Sequence, residues 1–249
     1  RRRHTRYISV TGVQTCALPI CGPHFVCEAD ESDGSFLLLH PTVAIVTNVE
    51  MDHPDHWSDA RDLDEAFVSF LHQLPETGYA VVCADDPGAL TLADAARSRG
   101  VDVRLYGTNP VSDLMVSDVQ LDPRGSTSTV SWRGQPLGSL NLRIPGLHNV
   151  INAAGALAAG IGLGLDPTAL IEGMASFAGT RRRFEPKGSF GGVEVFDDYA
   201  HHPTEITATL TAARRLAGDG HLVVCFQPHR YSRTEAFREE FGRALAVAD

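Results

Sequence analysis

Lysine is almost missing from this chain. Its 249 residues hold twenty arginines and one lysine, Lys187, so chemistry that needs a phosphate-binding lysine elsewhere has no candidate. Long apolar runs are missing too. No window approaches the roughly eighteen consecutive apolar residues of a membrane span, and membrane insertion is not expected. No basic stripe offsets the formal net charge of −10, so a nucleic-acid backbone is not an expected partner. Cys16, Cys21, Cys27, Cys83 and Cys225 form no CxxC pair and are odd in number, the pattern of reduced cytoplasmic thiols and not of a disulfide framework. What remains is 43% hydrophobic and 21% charged, the profile of a soluble globular protein long enough for one large or two ordinary domains.

Residues 1–20 (RRRHTRYISVTGVQTCALPI) stand apart, with four arginines and no acid. A basic start before a mildly apolar run suggests a signal peptide, but Thr11, Gln14 and Thr15 interrupt the run. Leu18-Pro19-Ile20 also lacks the small residues of a processing site. VTGVQTCALPI instead resembles the conceptual translation of a sequencing-adapter oligonucleotide. The segment is read as non-native, with native sequence expected from near Cys21.

Downstream, short β-rich runs alternate with helical patterns. His24–Cys27, Val43–Thr47, Tyr79–Ala84 and Val101–Tyr106 read as strands. Residues 60–74 put Leu63, Ala66, Phe67, Phe70, Leu71 and Leu74 on one face of a helix, and 87–99 form a second helix. This alternation predicts βαβ units in an α/β fold with a mainly parallel sheet. Residues 111–144 read as a meander, with turn signals at Asp122-Pro123, Arg133-Gly134 and Leu137-Gly138. An Ala/Gly-rich helix follows over about 150–163, and another starts at Asp166-Pro167. An arginine-rich joint, Gly179–Phe184, marks a domain boundary near 180. Beyond it Val193–Phe196 and His221–Phe226 read as strands, and Pro203–Leu216 and Ser232–Val247 as helices.

Six clusters carry chemistry. Glu28-Ala29-Asp30-Glu31-Ser32-Asp33 packs four carboxylates into six residues, which suits a solvated loop or a bound cation. Thr47–His53 follows the next strand, so Glu28 and His53 are expected at one sheet edge, where open α/β sheets bind ligands. A carboxylate and an imidazole there suit Mg²⁺ or Mn²⁺. His53 and His56 have a zinc-like spacing, but His56 reads better as a surface residue. Asn149 and Asn152 lie at a helix start, where Asn149 is a natural N-cap and an amide can also read a base edge. Arg181-Arg182-Arg183-Phe184 is a solvated run, an interdomain clasp, or a reach toward a transferring phosphoryl group. Asp197–Pro203 and Gln227–Arg233 both follow predicted strands and precede helices, which places their Asp, His and Arg side chains at one edge.

CEADESDGSF, VTNVEMDHPDHW, HNVINAAGAL, GTRRRFE, DDYAHHPTE and FQPHRYSRT occur in an order and spacing that resemble the Mur ligases over residues 22–249. The resemblance implies a central ATP-binding domain at 21–180 and the start of a Rossmann-like C-terminal domain at 181–249. It also implies a cytoplasmic bacterial enzyme of peptidoglycan synthesis. Among the members it is most similar to the branch that joins L-alanine to UDP-N-acetylmuramate through an acyl phosphate, using ATP and Mg²⁺ or Mn²⁺. Carried over by motif position, Glu28 and His53 would hold the metal, Asn149 and Asn152 adenine, Arg183 the γ-phosphate and Asp198 the nucleotide. His202, His229, Arg230 and Arg233 would surround the muramoyl carboxylate and alanine, with Arg183 and His202 as the catalytic pair.

The chain departs from the family pattern in one respect above all. The family's Gly-Lys-Thr nucleotide loop is expected upstream of Glu28 and is not in the sequence. Both ends read as cut, and the chain by itself is expected to be inactive. Two other readings compete: the recycling ligase that adds a tripeptide to the same sugar nucleotide, and a non-catalytic binding module of the same fold.

Overall fold

The computed structural model describes residues 24–249. The segment read as adapter-derived, with Cys16 and Cys21, lies outside them. A six-stranded sheet runs in sequence order: β1 (Val43–Val46), β2 (Tyr79–Cys83), β3 (Val103–Gly107), β4 (Leu114–Asp122), β5 (Gly125–Trp132) and β6 (Gln135–Leu142). The first four strands are mutually parallel, and β4, β5 and β6 form an antiparallel meander. Helices α1 (Ala60–Leu71) and α2 (Pro87–Ser98) are the two crossovers. Parallel neighbours usually need such a crossover, yet β3 reaches β4 through residues 108–113 alone. Only Tyr106 and Gly107 pair with Leu114 and Met115, so the chain steps back two residues and continues in the same direction. Asp85 braces the step by accepting from the backbone N–H of Thr108 and Asn109.

Strand β2 is buried along its whole length, because helices cover both faces of the sheet. Ala80 and Val82 face α1 and α2, while Tyr79, Val81 and Cys83 face α3 (Leu147–Gly162), the alternation a pleated strand imposes. Helix α3 lies close to the sheet because its residues are small. A Cβ on Gly155 would stand 2.8 Å from the Tyr106 ring. Helix α4 (Pro167–Ser176) starts from Asp166, whose carboxylate accepts from the Ala169 N–H at 2.9 Å.

The remainder forms a hairpin of β7 (Glu185–Phe190) and β8 (Val193–Asp197), then α5 (Pro203–Ala217), α6 (Tyr231–Ala236) and α7 (Arg238–Leu245). Ile206, Leu210, Phe241 and Ala244 make its small core. No helix among the described residues is long and apolar enough to cross a membrane.

Several expectations need correction. His24–Cys27 is not a strand: Phe25 and Val26 are 70% and 68% exposed, and no neighbouring strand completes a ladder. His221–Phe226 is likewise unpaired, tied at Leu222 to Asp249 by two hydrogen bonds instead. The predicted helix over 232–247 is two helices that meet at Phe237, whose backbone leaves helical geometry as its ring packs on His202. The predicted strand at Val193–Phe196 is present as β8, but its partner is β7, a strand the sequence reading does not predict, and the two form an antiparallel hairpin. The Leu137-Gly138 signal marks no turn; both residues lie within β6.

Candidate functional site

The loop after β1 carries Glu50, Asp52, His53 and Asp55, and each meets the C-terminal part of the chain. Asp52 accepts from Arg233 Nε at 2.7 Å and Nη2 at 2.9 Å, a bidentate charge-assisted pair. Arg233 is 1% exposed. Burial alone would raise the Asp52 pKa, but hydrogen bonds from Arg233 and from the His53 N–H outweigh it and hold the carboxyl below its ordinary value. Glu50 accepts from the Thr204 hydroxyl and lies 3.5 Å from His202 Nδ1. Asp55 accepts from the Ser232 hydroxyl at 2.7 Å and lies 3.5 Å from Arg230.

His53 turns the loop with φ of 55° and is buried. Its Nε2 lies 3.4 Å from Glu31 and 3.5 Å from Asp52, and its Nδ1 lies 3.3 Å from Arg233 Nη2. A guanidinium can only donate, so Nδ1 is the acceptor in this contact. The expected pairing of Glu28 with His53 therefore needs correction. Glu28 is exposed on a segment that is not a strand, and Glu31 is the carboxylate beside His53. Among the described residues no three His, Cys, Asp or Glu side chains gather as a metal set. The carboxylates beside His53 Nε2 are Glu31 and Asp52, so a cation held between Glu28 and His53 has no geometry behind it. His56 is exposed, edge-on to the Trp57 ring.

The arginine joint packs on the start of α5. Arg183 is half-exposed and lies 3.4 Å from Glu205, while Arg182 covers the Tyr199 ring at 4.5 Å. Asp198 accepts from the N–H groups of Phe184 and Ala200, both at 2.7 Å. His202 is the N-cap of α5: its Nδ1 accepts from the Thr204 N–H, and Glu205 reaches back to the His201 and His202 N–H groups, forming a capping box. Burial would raise the Glu205 pKa, but those hydrogen bonds and the charges of His201 and Arg183 carry it below its ordinary value. The buried His202 Nε2 has no partner among the described residues. His229 borders an opening with Pro228, Arg230, Tyr231 and Thr234. Partial burial and the cations Arg233, His201 and Arg230 push its pKa down.

Asn149 is not the cap of α3. Gly146 holds that position, and Asn149 Nδ2 donates to the Pro145 carbonyl at 2.7 Å. Asn152 is exposed one turn further along the same face. The structure thus brings His202, Arg230 and Arg233 against the loop that carries His53, with Glu31 and not Glu28 as the carboxylate beside that histidine. The residues missed by sequence reasoning are the acceptors: Glu31, Glu50, Asp52, Asp55 and Glu205. Their sequence signals are the acidic runs at 28–33 and 50–55 and, for Glu205, its capping-box spacing from His202.

Residues 22–160 match the Mur ligase middle domain, and residues 182–249 match the Mur ligase glutamate ligase domain. The chain is 53% identical over 228 residues to UDP-N-acetylmuramate–L-alanine ligase of Acidothermus cellulolyticus, covering 92% of this chain and 48% of that one. It is 54% identical to the ligase of the same name from Kineococcus radiotolerans, with the same coverage. The crystal structure of UDP-N-acetylmuramate-alanine ligase from Thermotoga maritima superposes with a TM-score of 0.71 at 28% identity, over 89% of this chain and 47% of that one. A murein peptide ligase from Psychrobacter arcticus gives 0.55 at 26% identity, over 86% of this chain and 43% of that one. The chain spans about half the length of the curated relatives it matches. Two successive domain matches, half-identical relatives and motif residues gathered on one loop have a single source: the chain belongs to the Mur ligase family.

Proposed function

We propose that this chain supplies the ATP-binding middle domain (21–180) and part of the C-terminal domain (181–249) of an enzyme that joins L-alanine to UDP-N-acetylmuramate, in the bacterial cytoplasm, for peptidoglycan synthesis. The observation that carries the reading is the gathering of His202, Arg230 and Arg233 opposite His53, between the two matched domains. Identity above one half to relatives of that name supports the choice of amino acid.

The reaction fits such a site. A muramoyl carboxylate oxygen attacks the γ-phosphorus of ATP, giving an acyl phosphate and ADP. The amine of L-alanine then attacks the acyl carbon, loses a proton, and the tetrahedral intermediate expels phosphate as the amide forms. Negative charge crowds every step, and fixed cationic donors lower its cost. Arg183 is assigned to the γ-phosphoryl group, Asn149 and Asn152 to adenine, and Asp198 to the nucleotide. His202, His229, Arg230 and Arg233 are assigned to the carboxylate and the alanine. ATP is taken to arrive as its Mg²⁺ or Mn²⁺ complex, which neutralises phosphate charge.

The test is a graft: residues 22–249 replace the matching half of the Acidothermus cellulolyticus ligase, and phosphate release is followed with ATP and UDP-N-acetylmuramate. Release that requires L-alanine supports the reading. Release with a tripeptide in place of L-alanine would favour the recycling ligase, and no release with either would leave a binding module.

A further inference from the structure

We propose that Asp52 is a positioning residue that orients Arg233 for the acyl group of the sugar nucleotide. The inference rests on the proposed function and adds to it a residue that the motifs did not single out. Arg233 offers five N–H donors in one rigid plane. Asp52 takes the Nε and Nη2 side of that plane at 2.7 and 2.9 Å, and His53 Nδ1 stands against the same Nη2 at 3.3 Å. These acceptors fix the rotation of the guanidinium and leave one edge over. That edge is Nη1, which is buried and has no partner among the described residues.

A buried guanidinium nitrogen without an acceptor costs more than an ordinary hydrogen bond returns, so the arrangement is complete only with an acceptor oxygen at Nη1. Had Asp52 paired end-on with Nη1 and Nη2, it would have consumed the tip of the side chain. The side-on pairing spares it. Asp52 also cancels the net charge of Arg233, so the bound oxygen is selected by the direction of the Nη1 donors more than by net charge. His229 and Arg230, on the same segment as Arg233, border an opening together with Thr234. A carboxylate or acyl-phosphate oxygen has the chemistry that Nη1 lacks.

A plain interdomain clasp would use the same ion pair, so the experiment must separate the two roles. Asp52→Asn removes the charge, and Asp52→Glu keeps it but moves the carboxylate by one methylene. In the grafted ligase, positioning predicts that both variants raise KM for UDP-N-acetylmuramate by roughly tenfold or more. KM for ATP should stay within about twofold, since the lost interaction is with the sugar nucleotide. In parallel, the Arg233 Nε–H resonance of the 249-residue chain is followed by ¹⁵N NMR and should move in Asp52→Asn. Asp52→Glu kinetics equal to the parent, or an unmoved Arg233 resonance in Asp52→Asn, would overturn the proposal. An inactive parent graft counts against the proposed function, and the resonance still decides whether Asp52 holds Arg233.

Discussion

Glu50 and Thr204, 154 residues apart in sequence, are joined by a 2.7 Å hydrogen bond from the Thr204 hydroxyl to the Glu50 carboxylate. The bond links the loop after β1 to the first turn of α5. Its worth is limited because both groups reach water. A double-mutant cycle with Glu50→Gln and Thr204→Val should give a coupling energy of about 1 kcal/mol or less by urea unfolding. A coupling well above that value would mean the pair is shielded from solvent.

Arg183 should separate stability from turnover. Its ion pair with Glu205 is half-exposed, so Arg183→Ala should change the unfolding free energy by no more than about 0.5 kcal/mol. In the grafted ligase the same substitution should lower kcat by roughly a hundredfold or more, because a phosphoryl-facing arginine acts mainly in the transition state. Arg183→Lys should rescue only part of this, since an ammonium lacks the guanidinium fork. Near-normal kcat with a lowered urea midpoint would make Arg183 a clasp.

Gly155 is where α3 meets the sheet, and alanine there pits helix propensity against space. The exchange favours the helix by about 1 kcal/mol. Its Cβ would stand 2.8 Å from the buried Tyr106 ring, whose hydroxyl is tied to the Val46 carbonyl. Forced overpacking costs about 1–3 kcal/mol, so Gly155→Ala should destabilise on balance. Tyr106→Leu introduced alongside should recover part of the loss. If Gly155→Ala raises the urea midpoint, helix and sheet have room to separate.

His148 should make stability depend on pH near neutrality. Burial pushes its pKa below the ordinary value of 6.5; Asp198 pulls it back in part, and Arg183 pushes it further down. The unfolded chain therefore binds the proton more tightly than the folded one. The stabilising effect is complete above pH 6.5 and is lost as pH falls through the lower folded value. Asp52 and Glu205, whose pKa values are also lowered, act only in the more acidic carboxylate range. Between pH 7.5 and 5.5, His148→Asn should flatten the fall in urea midpoint. An unchanged slope would assign the dependence to His229 or another group.

Periodicity carried much of the fold. The apolar face of residues 60–74 became α1, and alternating runs became β1, β2 and β3, because these patterns are local and the sheet satisfies them. His24–Cys27 and His221–Phe226 have the same local pattern without becoming strands, since a strand also needs a neighbour and that is not written in its own residues. The site divides the same way. Motifs singled out His53, His202, Arg230 and Arg233, but not the carboxylates that hold them. Asp52 and Arg233 are 181 residues apart, and no spacing rule spans that distance.

The strictly sequential order of the six strands has a consequence for how the molecule is made. Each strand finds its partner in the strand synthesised just before it, so this sheet can grow from one edge as the chain leaves the ribosome, each step closing a modest loop. The ties from the loop at 50–55 to Thr204, Ser232 and Arg233 close far larger loops and can form only after residue 233 has emerged. The candidate site then assembles after the six-stranded sheet, on a scaffold that is already standing.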